Sequence, residues 1–345
     1  MNDNNPSPKP VISVVLGSYN RCNYLKYAIR SIRDELEKFK IKTEIIVVDG
    51  GSTDGTIKWL IRQKDIISII QHNRGEWQGK PIDRRSWGYF MNLAFKAAQG
   101  KYICMLSDDC LVFPDAILNA FILFEEKLKN NEKIGGIAFY FSNLPEQKEF
   151  VINYTIDSTL MINHGLFLKQ ALEEVNYIDE DNYKFYHADD DLALKLKYSG
   201  YHIIDSPDSF IEHFLHANIK LRENIYETES DDLNNLIDKW GKNINFKKDC
   251  SIHSSKKILK EMRHESMLGF EYLYKKELSV KKTRMKLNYI YYKMIRFFRN
   301  IFMFIYYTTI YVITCIYLLF TDRKMLKQKV KKTKNNIKDK KKLSL

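Results

Sequence analysis

The sequence lacks several patterns that would assign it to a common class of protein. Its 5 cysteines form no C-x-x-C pair and no cysteine–histidine spacing typical of a zinc site, so no zinc motif is predicted. No G-x-G-x-x-G follows the first apolar run, which disfavours a dinucleotide-dependent oxidoreductase. Residues 1–10 are polar and contain no apolar core. We therefore expect no cleavable signal sequence, and reduced thiols on the cytoplasmic side of a membrane.

Positive charge is concentrated near the C-terminal end. The formal net charge of the 345 residues is +12, and residues 323–342 carry much of the excess. They follow residues 301–320, an apolar run without a charge, glycine or proline, which is about as long as a membrane-spanning helix. A lysine-rich segment in this position suits anionic lipid and disfavours nucleic acid. We expect membrane attachment, with the run either spanning the bilayer or lying on it; the alternative is a buried helix of a soluble domain.

The composition, 45% hydrophobic and 28% charged, supports a packed domain with appendages. Strands and helices are predicted to alternate in the N-terminal third of the chain. Buried strands are predicted at 11–16, 44–49, 66–70 and 101–106, and a helix at 86–98 is closed by Gly100. This order predicts a parallel sheet with helices on both faces, in which ligands bind at the carboxyl ends of the strands.

The pattern beyond residue 110 is more mixed. Helices are predicted at 114–130 and 188–199, and strands at 134–141, 201–205 and 209–213. Residues 216–280 are polar and largely helical in pattern, and they indicate no chemistry.

Two adjacent acids, Asp108 and Asp109, follow the fourth predicted strand. Paired carboxylates at the end of a buried strand are costly unless a positive group meets them. Hard oxygen ligands suit Mg²⁺ or Mn²⁺, so the pair predicts a divalent metal site. The alternative is a solvated loop in which one aspartate caps the next helix.

The segment VVDGGSTDGT, residues 47–56, follows the second strand. Asp49 is placed to accept hydrogen bonds from a ribose hydroxyl or a base N–H, and the two glycines allow close backbone approach. Ser52 or Thr53 is expected to cap the following helix. As a capped turn, the segment needs no function.

A third acidic motif, Asp189 to Asp191, begins the helix predicted at 188–199. Acids at a helix N-terminus interact favourably with the helix dipole, and one of them is also suited to act as a general base. His213 follows a short strand and is suited to ligate a metal, although His216 competes with it and a lone histidine is more often structural.

Taken together and in this order, the motifs resemble the family 2 glycosyltransferases of the GT-A fold, over about residues 11–215. The resemblance rests on VISVVLGSYNR, VVDGGSTDGT, Asn92 with the following AAQGKYICML, LSDD, HADDDLALKL and PDSFIEH. It implies an α/β fold with a mostly parallel sheet and helices on both faces.

The resemblance also implies a role for each matched position. Asp109 and His213 would hold Mn²⁺ or Mg²⁺, and Asp189 would be the catalytic base, with Asp190 as a contender. Asp190 and Asp191 would hold the acceptor or the loop. The donor-binding set would be Ser18, Tyr19, Arg21, Asp49, Asp108 and Arg74. Arg74 belongs with Lys80, Arg84 and Arg85 to a basic segment that either closes over a diphosphate or is simply solvated.

The expected activity is sugar transfer with inversion from a nucleotide-diphosphate sugar, UDP-sugar favoured, to a hydroxyl of a glycan or lipid-linked acceptor. The expected setting is surface glycan or polysaccharide synthesis at the cytoplasmic side of a bacterial membrane. Ser107 and Ala188 depart from the family pattern by replacing frequent acids, so a catalytically weakened, membrane-tethered sugar-nucleotide-binding scaffold is the alternative.

The expected division of the chain has five parts. They are a flexible leader (1–10), a GT-A catalytic domain (11–225), a helical extension (226–282), amphipathic or apolar membrane-attachment helices (283–322) and a basic tail (323–345). The aromatic-rich stretch from Tyr289 onward suits pairing of subunits as well as contact with lipid.

Overall fold

The computed structural model describes residues 9–144, 147, 149–214 and 228–242, the strand 254–257, and scattered residues between 293 and 332. The chain divides into two compact units, Met1–Tyr274 and Lys275–Leu345. All the candidate site residues lie in the first unit, which is described below.

The described elements of the first unit follow one another in a mostly alternating order. The strands are β1 (Ile12–Ser18), β2 (Thr43–Asp49), β3 (Ile66–Ile70), β4 (Glu76–Trp77), β5 (Lys80–Pro81), β6 (Tyr102–Ser107), β7 (Cys110–Val112), β8 (Ile134–Leu144), β9 (Phe150–Asn153), β10 (Gly165–Leu168), β11 (His202–Phe214) and β12 (Ser254–Lys257). The helices are α1 (Cys22–Leu36), α2 (Thr56–Leu60), α3 (Trp87–Ala97), α4 (Ala116–Lys129), α5 (Lys169–Glu174), α6 (Ala188–Tyr198) and α7 (Glu229–Trp240).

Four parallel strands, in the order β6-β1-β2-β3, form one side of the main sheet. Their register places Ser18 opposite Asp49, and Gly17 opposite Ser107, so the carboxyl ends of β1, β2 and β6 meet at one edge. Beyond β6 the sheet continues through β10, which is antiparallel both to β6 and to the next strand, β8. Strand β8 also pairs with β11 in parallel. The loops after β1, β2 and β6 are therefore neighbours.

Helices cover both faces of this sheet, as the sequence predicted. On one face α1 packs with Leu25, Ile29 and Ile32 fully or almost fully buried, at the helical spacing visible in the sequence. On the other face α3 packs with Phe95 and Ala94 fully buried. Each buried leucine, isoleucine or phenylalanine side chain contributes about 1.5–3 kcal/mol of burial free energy, so the apolar pattern of the helices fixes the two layers.

The predicted strands at 66–70 and 101–106 and the helices at 86–98, 114–130 and 188–199 are confirmed to within two residues at each end. The prediction of two separate strands at 201–205 and 209–213 is wrong, because β11 is continuous. Its register with β8 shifts between Ser206 and Phe210. Ser206 and Ser209 are buried there, and their hydroxyl groups lie 2.7 Å apart. The two hydroxyls therefore hydrogen-bond to each other at the irregularity, within one strand.

Among the described residues no helix combines the length and hydropathy needed to cross a bilayer. The apolar segment predicted at 301–320 lies, apart from four residues, outside the described part of the chain. Within residues 216–280, which were expected to be largely helical, the described 229–240 form a helix and 254–257 form the strand β12.

Candidate active site

Asp49 organises the loop after β2 from inside the protein. Its fully buried carboxylate accepts hydrogen bonds from the N–H groups of Gly51 (2.9 Å) and Ser52 (2.7 Å) and from the Ser52 hydroxyl (2.6 Å). The Ser52 oxygen in turn accepts from the N–H of Asn20, which joins the loops after β1 and β2. Asp49 therefore shapes this edge of the sheet. Both of its carboxylate oxygens already accept hydrogen bonds, so a nucleoside would have to use their remaining lone pairs.

The expectation that Ser52 or Thr53 caps the next helix is wrong. α2 begins after Gly55, and the side chain that accepts from its first N–H group, that of Thr56, is Asp54 at 3.1 Å. Ser52 is already bonded to Asp49, and Thr53 donates its N–H to the Asn20 side chain (2.8 Å). The sequence showed suitable capping residues, but the contact between two distant loops decided where they bond.

Tyr19 and Arg74 flank the glycine pair of this loop. Gly51 has φ +84°, a conformation that favours glycine, and its carbonyl accepts a 2.6 Å hydrogen bond from Arg74 Nε. A Cβ atom on Gly50 would lie 3.0 Å from the Tyr19 ring. The structure thus brings Tyr19, Arg74 and the glycines together beside Ser18 at the end of β1. The neighbouring Lys80, Arg84 and Arg85 are exposed.

Asp108 and Asp109 lie between β6 and β7 and are almost completely buried. Arg21 meets both, because its Nη1 lies 2.9 Å from Asp108 Oδ1 and 2.9 Å from Asp109 Oδ2. His213 Nε2 lies 3.3 Å from Asp109 Oδ1. The acidic pair, the arginine and the histidine, which are far apart in the sequence, therefore form one cluster.

The protonation of this cluster reflects burial and mutual charge. Burial raises the pKa of Asp108 to about 6; the charge of Asp109 adds to this, and the charge of Arg21 opposes it. Burial alone would lower the pKa of Arg21, but the two carboxylates outweigh it and raise the value. One guanidinium balances only one of two carboxylate charges, so the cluster has room in its charge balance for a divalent cation. The Asp109 carboxylate is the kind of oxygen ligand that suits Mn²⁺ or Mg²⁺, and the His213 imidazole lies beside it.

His164, which the sequence analysis did not single out, extends this cluster. Its Nε2 lies 3.0 Å from Cys110 Sγ and 3.2 Å from Ser107 Oγ. Gly165 allows this placement, because at φ +156° a Cβ atom would lie 2.1 Å from the Ile137 carbonyl oxygen. Burial, and then the charge of His213, lower the pKa of His164 to about 3, and burial raises that of the Cys110 thiol. The sequence signal that could have identified His164 is its position directly before Gly165, and this signal is weak.

Asp189 lies in the first turn of α6 and is partly exposed. Its Oδ2 accepts a 2.8 Å hydrogen bond from Asn163, the residue before His164. Burial, and then the charge of Asp190, raise the pKa of Asp189 to about 7. Asn163 and His164 thus connect the acid of α6 to the acidic pair after β6. A carboxylate that takes up a proton near neutral pH is suited to general-base chemistry.

Asp190 and Asp191 have other partners. Asp190 Oδ2 lies 2.9 Å from His187 Nδ1. Asp191 is fully buried and accepts hydrogen bonds from Trp240 Nε1 (2.7 Å) and Lys239 Nζ, both in α7. Of the two roles implied for Asp191, holding a structural segment fits this burial and contact with an acceptor does not.

Asn92 holds the segment that leads to α6. Its side chain is buried, accepts from the N–H of Ile178 (3.1 Å) and donates to the Ile178 carbonyl (2.9 Å) and to Glu180 (2.6 Å). This asparagine therefore connects α3 to the chain before the acidic motif.

Comparison with known proteins agrees with these motifs. Residues 13–130 match the family model described as "Glycosyl transferase family 2". The chain is 31% identical over 159 residues to the Escherichia coli UDP-Glc:alpha-D-GlcNAc-diphosphoundecaprenol beta-1,3-glucosyltransferase WfaP, covering 46% of this chain and 56% of that protein. It is 30% identical over 125 residues to an uncharacterized glycosyltransferase of Rickettsia prowazekii, covering 36% of this chain and 35% of that protein.

Among solved structures, S. aureus TarS 1-349 in complex with UDP is similar with a TM-score of 0.47 and 18% identity, covering 66% of this chain and 65% of that one. The chain spans about half the length, or less, of the curated relatives named above. The resemblance drawn from the motifs is confirmed: the chain carries a glycosyl transferase family 2 segment, within a GT-A-like α/β fold.

Proposed function

We propose that this chain transfers a sugar from a nucleotide-diphosphate sugar to a hydroxyl acceptor, with inversion at the anomeric carbon. The carrying observation is the buried Asp108–Asp109 pair, which a single guanidinium leaves with a surplus negative charge at the edge where β1, β2 and β6 end. The family match of residues 13–130 supports the same reaction class.

In this proposal Asp109 and His213 hold Mn²⁺ or Mg²⁺. The ion, when bound, offsets the negative charge that develops on the departing nucleotide diphosphate. Arg21 lies on the same carboxylates and supplies a second positive charge to that region. Asp108 would lie nearer the donor ribose or sugar, and Ser18, Tyr19 and Arg74 flank the loop that Asp49 holds.

Asp189 is the proposed base. Its carboxylate takes the proton of the acceptor hydroxyl as that oxygen attacks the anomeric carbon from the face opposite the departing diphosphate. Its hydrogen bond from Asn163 fixes the orientation of the group, and its raised pKa allows it to accept a proton near neutral pH. Asp190 is bonded to His187, so it is the weaker candidate for the base.

A UDP-sugar donor and a lipid-linked or glycan acceptor are favoured. The support is the name of the E. coli relative, which uses UDP-Glc and a diphosphoundecaprenol-linked sugar. We place the reaction at the cytoplasmic side of a bacterial membrane, in the synthesis of a surface glycan or polysaccharide. The support for this location is the apolar run 301–320 with its basic flank, which suits an anionic lipid surface.

A catalytically weakened binding scaffold is the second candidate. Ser107 stands where a carboxylate is frequent, and its hydroxyl lies against His164, so it adds no charge to the acidic cluster. Such a protein would bind a sugar nucleotide without turning it over.

The first experiment measures binding of UDP, GDP and TDP to the full chain, with and without Mn²⁺, beside Asp109→Asn. We expect one nucleotide to bind in a Mn²⁺-dependent manner and the variant to lose this binding. Asp65→Asn, which changes a surface acid paired with Arg33, is the matched control and should bind like the wild type. If no nucleotide binds, with or without Mn²⁺, both the transferase proposal and the binding-scaffold alternative are wrong.

A further inference from the structure

Three potential metal ligands from distant parts of the chain converge beside the acidic pair. Cys110 begins β7, His213 lies directly opposite it on antiparallel β11, and His164 precedes β10. One ligand atom from each of the three lies within 4.8 Å of the other two, and Cys110 Sγ is 3.0 Å from His164 Nε2. Sheet pairing therefore assembles a thiol and two imidazoles, and any two of these three residues are at least 49 positions apart in the sequence.

Both imidazoles point a ring nitrogen into this cluster. His213 Nδ1 lies 2.8 Å from the side-chain oxygen of Asn143, which fits an N–H donor there and leaves a lone pair on Nε2. His164 is 3% exposed, and its buried Nδ1 has no hydrogen-bond partner in the described part of the chain. The ring of His164 is thus held by what faces its Nε2, which is the Cys110 thiol and the Ser107 hydroxyl.

The donor atoms decide which ion such a site prefers. Mg²⁺ and Mn²⁺ prefer oxygen, whereas thiolate sulfur and imidazole nitrogen are both ligands that suit Zn²⁺. Asp109 Oδ1 lies 3.3 Å from His213 Nε2, beside these three side chains. We propose that Cys110, His164 and His213 form a binding site for Zn²⁺, in addition to the hard-cation site on the acidic pair.

Binding would replace the thiol proton of Cys110 with the ion, and the proton leaves to solvent. The His213 side chain is 15% exposed, whereas Cys110 and His164 are buried, so an ion would enter beside His213. The two sites share His213, so bound Zn²⁺ would withdraw this ligand from the Mn²⁺ or Mg²⁺ that assists donor binding. This last consequence, unlike the site itself, rests on the proposed function.

The test uses Co²⁺ as a spectroscopic substitute for Zn²⁺ in the full chain. Cys250 and Cys315 are first replaced by serine, so that the thiols of the described residues, Cys22, Cys104 and Cys110, are the ones left. After chelator treatment, we expect one Co²⁺ per chain to give a thiolate-to-cobalt charge-transfer band and the intense visible bands of a tetrahedral site. Added Zn²⁺ should remove both.

Cys110→Ser should abolish the charge-transfer band, and His164→Gln should weaken Co²⁺ binding by at least about tenfold. Cys104→Ser is the matched control, because Cys104 is equally buried but lies outside the cluster, and it should bind like the parent. Circular dichroism and thermal melting of each variant separate lost binding from lost folding.

The proposal is overturned if the parent protein shows no thiolate band, or if the band persists in Cys110→Ser. Its failure is separable from failure of the transferase proposal, because Co²⁺ binding is measured without nucleotide. A chain that binds Mn²⁺ and UDP but gives no thiolate band keeps the transferase site and loses the zinc site.

Discussion

Arg21 sets the charge of the acidic cluster at the scale of single residues. Its guanidinium lies 2.9 Å from a carboxylate oxygen of each of the two aspartates and lowers the pKa of Asp108 against the effect of burial. A divalent ion placed on the same carboxylates would be repelled by this charge. A sugar nucleotide would be attracted by it, because its diphosphate is anionic.

Arg21→Gln should therefore separate the two effects. We expect Mn²⁺ alone to bind about tenfold more tightly, since a unit charge a few ångströms away is worth about 1–4 kcal/mol outside the dry interior. We expect the affinity for UDP at saturating Mn²⁺ to fall. Calorimetry and Mn²⁺ electron paramagnetic resonance measure both. Arg33→Gln, which breaks the surface pair with Asp65, should change neither. Weaker Mn²⁺ binding in Arg21→Gln would contradict this account.

Asp189 should give the activity its pH dependence. Because burial raises the pKa of this carboxyl in the folded protein to about 7, the group is protonated and inactive as a base at lower pH. We expect kcat/KM to rise as the pH increases toward about 7 and then to level. Asp189→Asn should lose about 10²–10⁴-fold in kcat while retaining nucleotide binding. A variant with near wild-type turnover would remove Asp189 from the base role.

The same raised pKa has a consequence for stability. A carboxyl whose pKa is higher in the folded than in the unfolded state destabilises the fold as the pH rises from its unfolded pKa of about 3.9 to its folded pKa. Asp189→Asn should therefore melt at a higher temperature than the wild type at pH 8, and the difference should vanish near pH 4. Thermal denaturation monitored by circular dichroism checks this, and a variant less stable at both pH values would contradict it.

At the scale of secondary-structure elements, α7 holds the segment that carries the acidic motif. Asp232 of α7 is almost fully buried and accepts hydrogen bonds from the N–H groups of Lys184, Phe185 and Tyr186, at 2.8 to 2.9 Å. At the other end of the helix, Lys239 and Trp240 bond to Asp191. Helix α7 thus fixes the chain on both sides of Asp189.

Asp232→Ala should destabilise the protein by about 3 kcal/mol, because it removes the charged acceptor of three partly buried hydrogen bonds. Hydrogen exchange at residues 184–187 should accelerate, and kcat should fall more than nucleotide affinity. Asp231→Ala is the matched control on the exposed side of the same helix turn and should stay within about 0.5 kcal/mol of the wild type. Equal effects of the two changes would show that α7 does not position this segment.

At the scale of the whole molecule, the proposed membrane attachment has a direct test. The full chain should co-sediment with vesicles that contain phosphatidylglycerol more than with neutral vesicles, and added salt should weaken the binding. Each basic residue near the surface contributes about 1 kcal/mol. Replacing the lysines of residues 323–342 by glutamine should remove the preference for anionic vesicles. The same replacement of Lys38, Lys101 and Lys127, which form surface ion pairs on the first unit, is the control and should leave the preference unchanged. If the chain binds neutral and anionic vesicles equally, and if this binding persists at high salt, attachment is due to the apolar run alone.

The sequence by itself determined the four parallel strands, the helices that cover them and the edge at which the polar loops meet. Apolar periodicity fixes β1, β2, β3 and β6 and the buried faces of α1 and α3, because each pattern is local and its burial dominates the free energy of the segment. Parallel pairing then brings Ser18, Asp49 and Asp109 to one edge whatever the details of the loops.

Only the tertiary structure decided which side chains meet at that edge. Arg21 contacts residues 87 and 88 positions later, and Asn163 contacts Asp189 across the loop before β10. The cluster of Cys110, His164 and His213 has no spacing in the chain that would reveal it, since the pairing of β7 with β11 and the approach of β10 assemble it. Long-range contacts of this kind depend on register and loop geometry, which local periodicity does not encode.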